Sequence, residues 1–451
     1  MRVGNSSVVV LGGGLSGAAA AWALARSGVR DVTLLERGER LGGLAGSFER
    51  DGRFYPLGYH HILHRDRTLL FFLDRIGVLP RVRWRRVRML FRVDGRLHDL
   101  GSPAGFLRFP MAPLDKLRFV RLMLRAFAKS DWSDWEGRSA EELVRDWAGP
   151  GVERALFEPL CRLKFELPCA EVSAAWLGAR LHFREGASAL GYVPGANWTT
   201  LLCDGVTRLV AEAGVRVRLG AGVSSLETKD GRVREAVLED GERVGGDVFV
   251  STLPTEVYAR LAPRDETPHL ATIRYTALLS TICVTRQRVA PDFYWLNLGS
   301  PAQAACGIFL LSSLNPTIGR PGESCLNFVT HLRSRHDPRF RLPDEGLLEL
   351  YRADCRDVFG FDLAPEWSNV ARVPLYSPIF TTGFRNPPPR SRSYGNVWFA
   401  GNYRTFPSVA STGTALGSGL AAAAEVLEPL GLATDLPARA RLFPVGGRAP
   451  A

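Results

Sequence analysis

Three glycines near the start of the chain have the spacing of a phosphate cradle. Gly12, Gly14 and Gly17 read G-x-G-x-x-G, directly after the apolar run Val8–Leu11 and directly before the Ala-rich stretch 18–27. In that setting the first glycine makes a tight turn and the second lets backbone N–H groups approach a pyrophosphate. The third lets helix pack on strand, and the helix N-terminus faces the phosphates, so Leu15 and Ser16 join the cradle. A second apolar run, 32–35, ends at Glu36, 24 residues after Gly12. A carboxylate there accepts hydrogen bonds from ribose hydroxyls. A glycine-rich turn without a ligand is the competing reading. The strand before it, the helix after it and the acid at the second strand's end argue against it.

Other side chains able to do chemistry are scattered. Tyr59, His60 and His61 follow the first βαβ segment, with His64 close behind. Two readings are open for His60 and His61: proton transfer or substrate polarisation, or a ring N–H held by a backbone carbonyl. For His64 the second is preferred. Lys164 lies in Leu163-Lys164-Phe165-Glu166. It is either a cation facing the substrate or the local ion-pair partner of Glu166, and the ion pair is the commoner outcome. Tyr294, Trp295 and Asn297 share one strand that could line a cavity, although an aromatic stripe is more often core.

The elements that must position these groups can be read in outline. Strand, glycine turn, helix and strand fill the first 36 residues. Helical spacing dominates from 68 to 184, with helices over 68–77, 113–129, 139–148 and 173–184. Strands return near Val215, at 215–219, 224–228, 233–239 and 247–252, then as longer ones at 273–285, 306–313, 324–331 and 370–376. A helix over 344–359 interrupts this second set. An apolar strand, 397–400, and an Ala-rich helix, 414–427, close the ordered part.

Composition narrows the class. The chain has 451 residues, 46% hydrophobic and 23% charged, which excludes intrinsic disorder and fibrous repeats. Lys+Arg outnumber Asp+Glu by 57 to 46, and only four of the 57 are lysines. A net charge of +11 favours anionic ligands, whereas the dispersed arginines argue against nucleic acid. Seven cysteines without metal or redox spacing suit free thiols in a reducing cytoplasm, and neither a signal peptide nor a transmembrane segment is read. The stretch 106–129 mixes Arg108, Arg118, Arg121 and Arg125 with apolar residues. A buried helix with a basic edge is expected there in preference to a membrane-surface helix.

The segment after Glu36 adds a family resemblance. Arg37, Arg40, Leu41, Gly42, Gly43 and Leu44 complete E-R-x-x-R-L-G-G-L. This resembles the signature of two-domain flavoproteins: amine oxidases, protoporphyrinogen oxidase, phytoene desaturases and UDP-galactopyranose mutase. The resemblance runs from about Val8 to Leu427 and is closest to the protoporphyrinogen-oxidase-like oxidoreductases. It implies FAD, with the second glycine pair beside the flavin and Arg40 neutralising phosphate charge or else simply solvated. Gly401 and Asn402 match the turn that meets the ribityl chain, with Asn402 standing where the family usually has an acid. Ser411, Thr412, Gly413 and Thr414 open the last helix, whose N-terminus would face the flavin C2 carbonyl. Val223 matches the residue whose backbone contacts adenine. Arg404, in the loop after the ribityl motif, becomes the preferred anion-binding residue, with solvation as its alternative.

The implied fold is α/β (α+β overall). A Rossmann-type FAD-binding domain over 1–66, 190–270 and 390–432 is interleaved with a substrate domain of mixed β-sheet plus helices. Of that second domain, 67–189 would be the helical part and 271–389 the sheet part, with a disordered tail at 433–451. The expected activity is dehydrogenation of a small organic metabolite at a C–C or C–N bond by hydride transfer to flavin N5, with O2 or another electron acceptor. A mutase-like non-redox reaction on a nucleotide sugar is the alternative, and a non-catalytic flavoprotein a weaker third. Two amine-oxidase devices look absent: no lysine follows Lys229, and Ser411 replaces an aromatic. No cysteine follows Cys355, so FAD is expected to be held noncovalently, in a cytoplasmic monomer or homodimer.

Overall fold

The computed structural model describes residues 6–183, 189–299 and 302–436. From residue 437 onward the expected tail lies outside them. Two sheets organise the chain. The first is parallel and five-stranded, in the order Val397–Phe399, Val248–Ser251, Ser7–Leu11, Asp31–Leu35, Arg216–Arg218. Its central strand is a continuous apolar run, as a strand covered on both faces must be. Because Asp31–Leu35 and Val248–Ser251 flank that strand on opposite sides, the chain changes direction at its carboxyl end. Open α/β sheets leave a ligand crevice at such a point.

Helix Leu15–Arg26 lies against the final helix, Thr412–Leu427. Both are rich in Ala and Gly, so their backbones come close: a Cβ on Gly419 would stand 2.0 Å from the Ser16 carbonyl oxygen. The helix Trp198–Glu212 covers the same side of the sheet. Sequence reading missed it, because Trp198-Thr199-Thr200 opens it with poor helix formers. Leu202, Val206 and Val210 are buried at helical spacing nonetheless.

The second sheet has seven strands, in the order Trp367–Pro378, Tyr275–Thr285, Ser324–Leu332, Gly307–Leu310, Trp295–Leu298, Met89–Val93, Arg96–Asp99. Segment 67–189 is therefore not wholly helical: it supplies the last two strands, and Met89–Val93 runs parallel to Trp295–Leu298. The missed signal was Asp94-Gly95, both at positive φ (49° and 75°), which is the two-residue hairpin turn. Alternating arginines had masked the period-two pattern around it. Helix Pro113–Ala128 also departs from expectation. Only Leu122 and Ala126 are buried, and several of its leucines face solvent. No helix among the described residues is long and apolar enough to cross a membrane.

Candidate functional site

The glycine turn forms at the carboxyl end of the central strand. Gly12 takes φ +99° and donates to the Leu35 carbonyl at 2.8 Å. A Cβ on Gly17 would stand 1.9 Å from the Gly12 carbonyl oxygen, so the turn admits no side chain there. Gly14 differs. Its φ of −64° suits any L-residue, and a Cβ on it would meet no protein atom within 4 Å. Helix Leu15–Arg26 begins beside that open space with no side-chain cap and no acid in its first turn. Its leading N–H groups are therefore free for an anion.

Glu36 stands at the end of its strand, as expected. Oε2 accepts from the Gly13 N–H and Oε1 from the Gly38 N–H, both at 2.7 Å. The carboxylate thus braces two turns, and each oxygen keeps a lone pair for a ribose hydroxyl. The second glycine pair packs onto the first turn: the Gly42 N–H donates to the Gly13 carbonyl at 2.9 Å, and a Cβ on Gly42 would lie 2.5 Å from the Cys203 sulfur. Val223 opens its strand just past Ala221, whose N–H donates to the Glu36 carbonyl. Arg37 is exposed. Arg40 is paired with Asp204 at 2.7 Å on the surface, so the structure places it in a solvated ion pair and not in the cradle.

At the chain's other end, Gly401 (φ +133°) donates its N–H to Ser418 Oγ at 2.8 Å, and Asn402 Nδ2 donates to the Tyr376 carbonyl at 3.3 Å. Ser16 does not offer its hydroxyl to a ligand, because Oγ donates to the Ala415 carbonyl at 2.8 Å. The N-terminus of the last helix is not bare either. Ser411 and Thr414 form a reciprocal capping box, and the buried carboxylate of Asp66 faces Gly413 closely enough that a Cβ there would stand 1.8 Å from Oδ1. Burial pushes the Asp66 carboxyl up to about 6, against the opposing pull of the Leu69 and Gly413 amides. The expected open dipole end at 411–414 is therefore largely satisfied by the protein itself.

Arg404 is a second correction. Its guanidinium is 5% exposed, donates to the Phe399 carbonyl at 2.7 Å and to the Pro387 carbonyl at 3.3 Å, and meets Glu425 at 3.3 Å. With those partners it is a structural arginine and not an anion-binding one. Asn297 likewise turns its amide to the Leu90 carbonyl at 3.4 Å, between strands.

The histidine loop meets the second sheet in an aromatic chamber. Tyr59 stacks on Phe309 at 3.9 Å, and His61 packs against Trp295 at 5.7 Å and Tyr294 at 5.5 Å. Burial brings the His60 pKa down to about 4 and that of His61 to about 3, so both rings are neutral near pH 7. His60 Nε2 donates to the Leu44 carbonyl at 3.1 Å, which fixes the second glycine loop. The backbone-bonded reading holds for His60, and neither ring serves as an acid at neutral pH. His64 stacks on Trp84 at 3.4 Å, outside the chamber.

Lys164 is not the partner of Glu166, which is taken by Arg339 at 2.6 Å. The Lys164 ammonium lies 5.3 Å from the Tyr376 ring, and His331 lies on that same ring at 5.6 Å. Arg180, which sequence reading missed, adds a second cation beside Tyr59 and Tyr376. Among the described residues neither cation has a carboxylate partner. Burial, reinforced by the Arg180 charge, brings the Lys164 pKa down to about 7. His331 is buried with Nδ1 unbonded. The signal for Arg180 was there to be read: a lone arginine between the apolar run Ala174-Ala175-Trp176-Leu177-Gly178-Ala179 and Leu181.

Residues 15–427 match the family described as flavin containing amine oxidoreductase. The chain belongs to that family. It is 25% identical over 287 residues to the 15-cis-phytoene desaturase of Solanum lycopersicum, covering 57% of this chain and 48% of that protein. It is 28% identical over 328 residues to the protoporphyrinogen oxidase of Bos taurus, covering 62% and 66%. The chain thus spans about half the length of the phytoene desaturases it matches. Among solved structures, reduced UDP-galactopyranose mutase superimposes with a TM-score of 0.73 at 17% identity, covering 97% of each chain. An oxidoreductase from Methanosarcina mazei gives 0.70 at 16%, covering 93% of this chain and 100% of that one. These structural likenesses show the fold.

The chain has a seat into which FAD would fit. The open space at Gly14, the uncapped helix beside it and the free lone pairs of Glu36 fit a pyrophosphate and a ribose. Those residues would hold the dinucleotide half. The aromatic chamber of Tyr59, His61 and Trp295 also takes in Tyr376, which packs in the same cluster as Tyr59 and Trp295.

Proposed function

We propose that the protein dehydrogenates a small organic molecule that carries an anionic group, at a C–C or C–N bond. In such a reaction a substrate C–H bond breaks with its electron pair, a proton leaves the adjoining carbon or nitrogen, and a C=C or C=N bond forms. FAD, when bound, supplies the hydride acceptor at N5, and O2 or another acceptor takes the electrons on. The chain's own residues bind and orient. Tyr59, His61, Trp295 and Phe309 form an apolar wall that excludes water. Lys164 and Arg180 hold the anion.

The pair of cations carries this reading. Two neighbouring like charges, half-buried and without a carboxylate partner among the described residues, are costly, and an arriving anion relieves both. Lys164 also makes the binding pH-dependent. With a pKa near 7 it is protonated below neutrality and loses its charge above it, so affinity for the anion should fall as pH rises through 7. The groups facing it are Arg180, Tyr376, Cys306 and His331.

The test is anaerobic stopped-flow reduction of the flavin by carboxylate- or phosphate-bearing candidates, each beside its neutral ester, together with simple monoamines and UDP-sugars. Anionic compounds should bleach the flavin. Lys164→Met and Arg180→Met should raise their Kd about tenfold or more, the scale of a lost charge-assisted contact. Rapid bleaching by monoamines that carry no anionic group, or Kd values unmoved by both substitutions, defeats the reading. Binding of a UDP-sugar only after flavin reduction, without turnover of an acceptor, would show isomerisation instead.

A further inference from the structure

Large hydrophobic side chains exposed to solvent are few on this protein, and they cluster. Of the eight among the described residues, Leu107, Leu114, Leu117, Val120 and Leu124 fall within 18 residues of chain. Leu107 belongs to the short helix Pro103–Arg108, and the others to Pro113–Ala128. Along that second helix, 114, 117, 120 and 124 recur at three- and four-residue steps, which puts them on one face. The opposite face packs inward through Leu122 and Ala126. Leu117 is 69% exposed and Leu124 65%, so this is a bare apolar stripe and not the rim of a core. Among the described residues no segment covers it.

Its borders are basic. Arg108, Arg121 and Arg125 are exposed beside the stripe. Arg121 rests on the Trp147 carbonyl at 2.7 Å, and Arg125 lies 5.6 Å over the Trp147 ring, which leaves both guanidinium groups at the surface. The acid of this helix, Asp115, is bonded to Arg118 at 3.1 Å. A leucine face framed by arginines, on a helix too short and too polar to span a bilayer, has the make-up of a helix lying in the plane of a membrane surface.

We propose that this face docks the protein on an anionic lipid bilayer, with Leu107, Leu114, Leu117, Val120 and Leu124 entering the acyl boundary and Arg108, Arg121 and Arg125 meeting lipid phosphates. The chain's net charge of +11 favours the same surface. The docking helix packs directly on helix Ala174–Phe183, where His182 Nδ1 bonds the Ala126 carbonyl at 3.1 Å, and that helix carries Arg180. The bilayer would therefore lie one helix layer away from the cation pair.

The experiment is co-sedimentation of the full FAD-loaded protein with vesicles of phosphatidylcholine alone and with added phosphatidylglycerol. Wild type should sediment with the anionic vesicles, less so in high salt. Leu117→Glu combined with Leu124→Glu should weaken that binding by about tenfold or more while flavin absorbance and circular dichroism stay unchanged. Arg108→Gln and Arg125→Gln should each cost about fivefold on anionic vesicles and little on neutral ones. Leu117→Trp provides a fold-neutral probe, whose emission should shift to the blue on anionic vesicles. Wild type left in the supernatant with both vesicles, or no emission shift, overturns the proposal. So does light scattering that shows a dimer dissolved by the Leu117/Leu124 change, since the stripe would then be a subunit interface.

Discussion

Gly14→Val separates what the protein needs from what its ligand needs. Nothing in the chain demands glycine at this position. Its φ is −64° and its ψ 174°, extended backbone that suits a β-branched residue, and a Cβ would touch no protein atom within 4 Å. Without flavin the substitution should leave stability within about 0.5 kcal/mol, or raise it slightly by stiffening the unfolded chain. With flavin the outcome reverses. The two γ-methyls would occupy the space into which the uncapped helix directs its N–H groups. Losing two charge-assisted hydrogen bonds to a pyrophosphate costs about 3–6 kcal/mol, or about 10²- to 10⁴-fold in Kd. Gly17→Ala is the contrasting variant. Its methyl would stand 1.9 Å from the Gly12 carbonyl, so the apo-protein itself should lose about 1–3 kcal/mol. The assay is thermal unfolding of both apo-proteins with and without added FAD, alongside flavin content by absorbance. A Gly14→Val protein that stays yellow at wild-type affinity, or whose apo form melts as early as Gly17→Ala, refutes the assignment of this space to phosphate.

Two more substitutions test Arg404 and the carboxyl that faces the last helix. Arg404→Met should cost about 2–4 kcal/mol of stability, because Glu425 and two carbonyls lose a buried donor, yet leave KM for an anionic substrate unchanged; a KM effect without destabilisation would restore Arg404 to anion binding. Asp66 has a folded pKa of about 6, raised above its unfolded value, so its ionisation opposes folding once pH exceeds that range and has no effect below about pH 4. Asp66→Asn, which keeps an acceptor for the Leu69 N–H, should stabilise the protein by about 1–3 kcal/mol near pH 8 and leave it unaltered near pH 4. Denaturant melts at both values decide, and equal effects at both would show that the carboxyl does not titrate between them.

The cofactor end was legible because its chemistry is written in the backbone. Gly12, Gly14, Gly17 and Glu36 act through turn geometry and a strand end, both of which follow from local sequence. The proposed substrate end was legible only in part: Tyr59 and Lys164 stand out in the sequence, whereas Arg180, His331 and Tyr376 join them from distant segments through tertiary packing alone. Arg404 misled for a related reason. Its place after the ribityl turn made it look ligand-facing, whereas the buried carbonyls of Phe399 and Pro387 claimed it first. The strands at 89–99 were hidden by Arg92 and Arg96, which break up their apolar pattern, even though Asp94-Gly95 announced the turn between them.

The two helix N-termini that meet near the cofactor seat are finished in opposite ways, and the contrast says where charge belongs. Helix Leu15–Arg26 opens on Gly14 with no cap and no acid, so its partial positive end is left to attract an anion from outside the chain. Helix Thr412–Leu427 is closed by Ser411, Thr414 and the buried Asp66. A phosphate is thus welcome at the first and would meet a carboxyl at the second. If the last helix is largely answered by Asp66, it has little field left to offer a second anion. Uncompensated positive charge in the chamber then resides on Lys164 and Arg180, on the side of the second sheet. Under the proposed function, that asymmetry would put the cofactor's phosphates at one end of the crevice and the substrate's anion at the other.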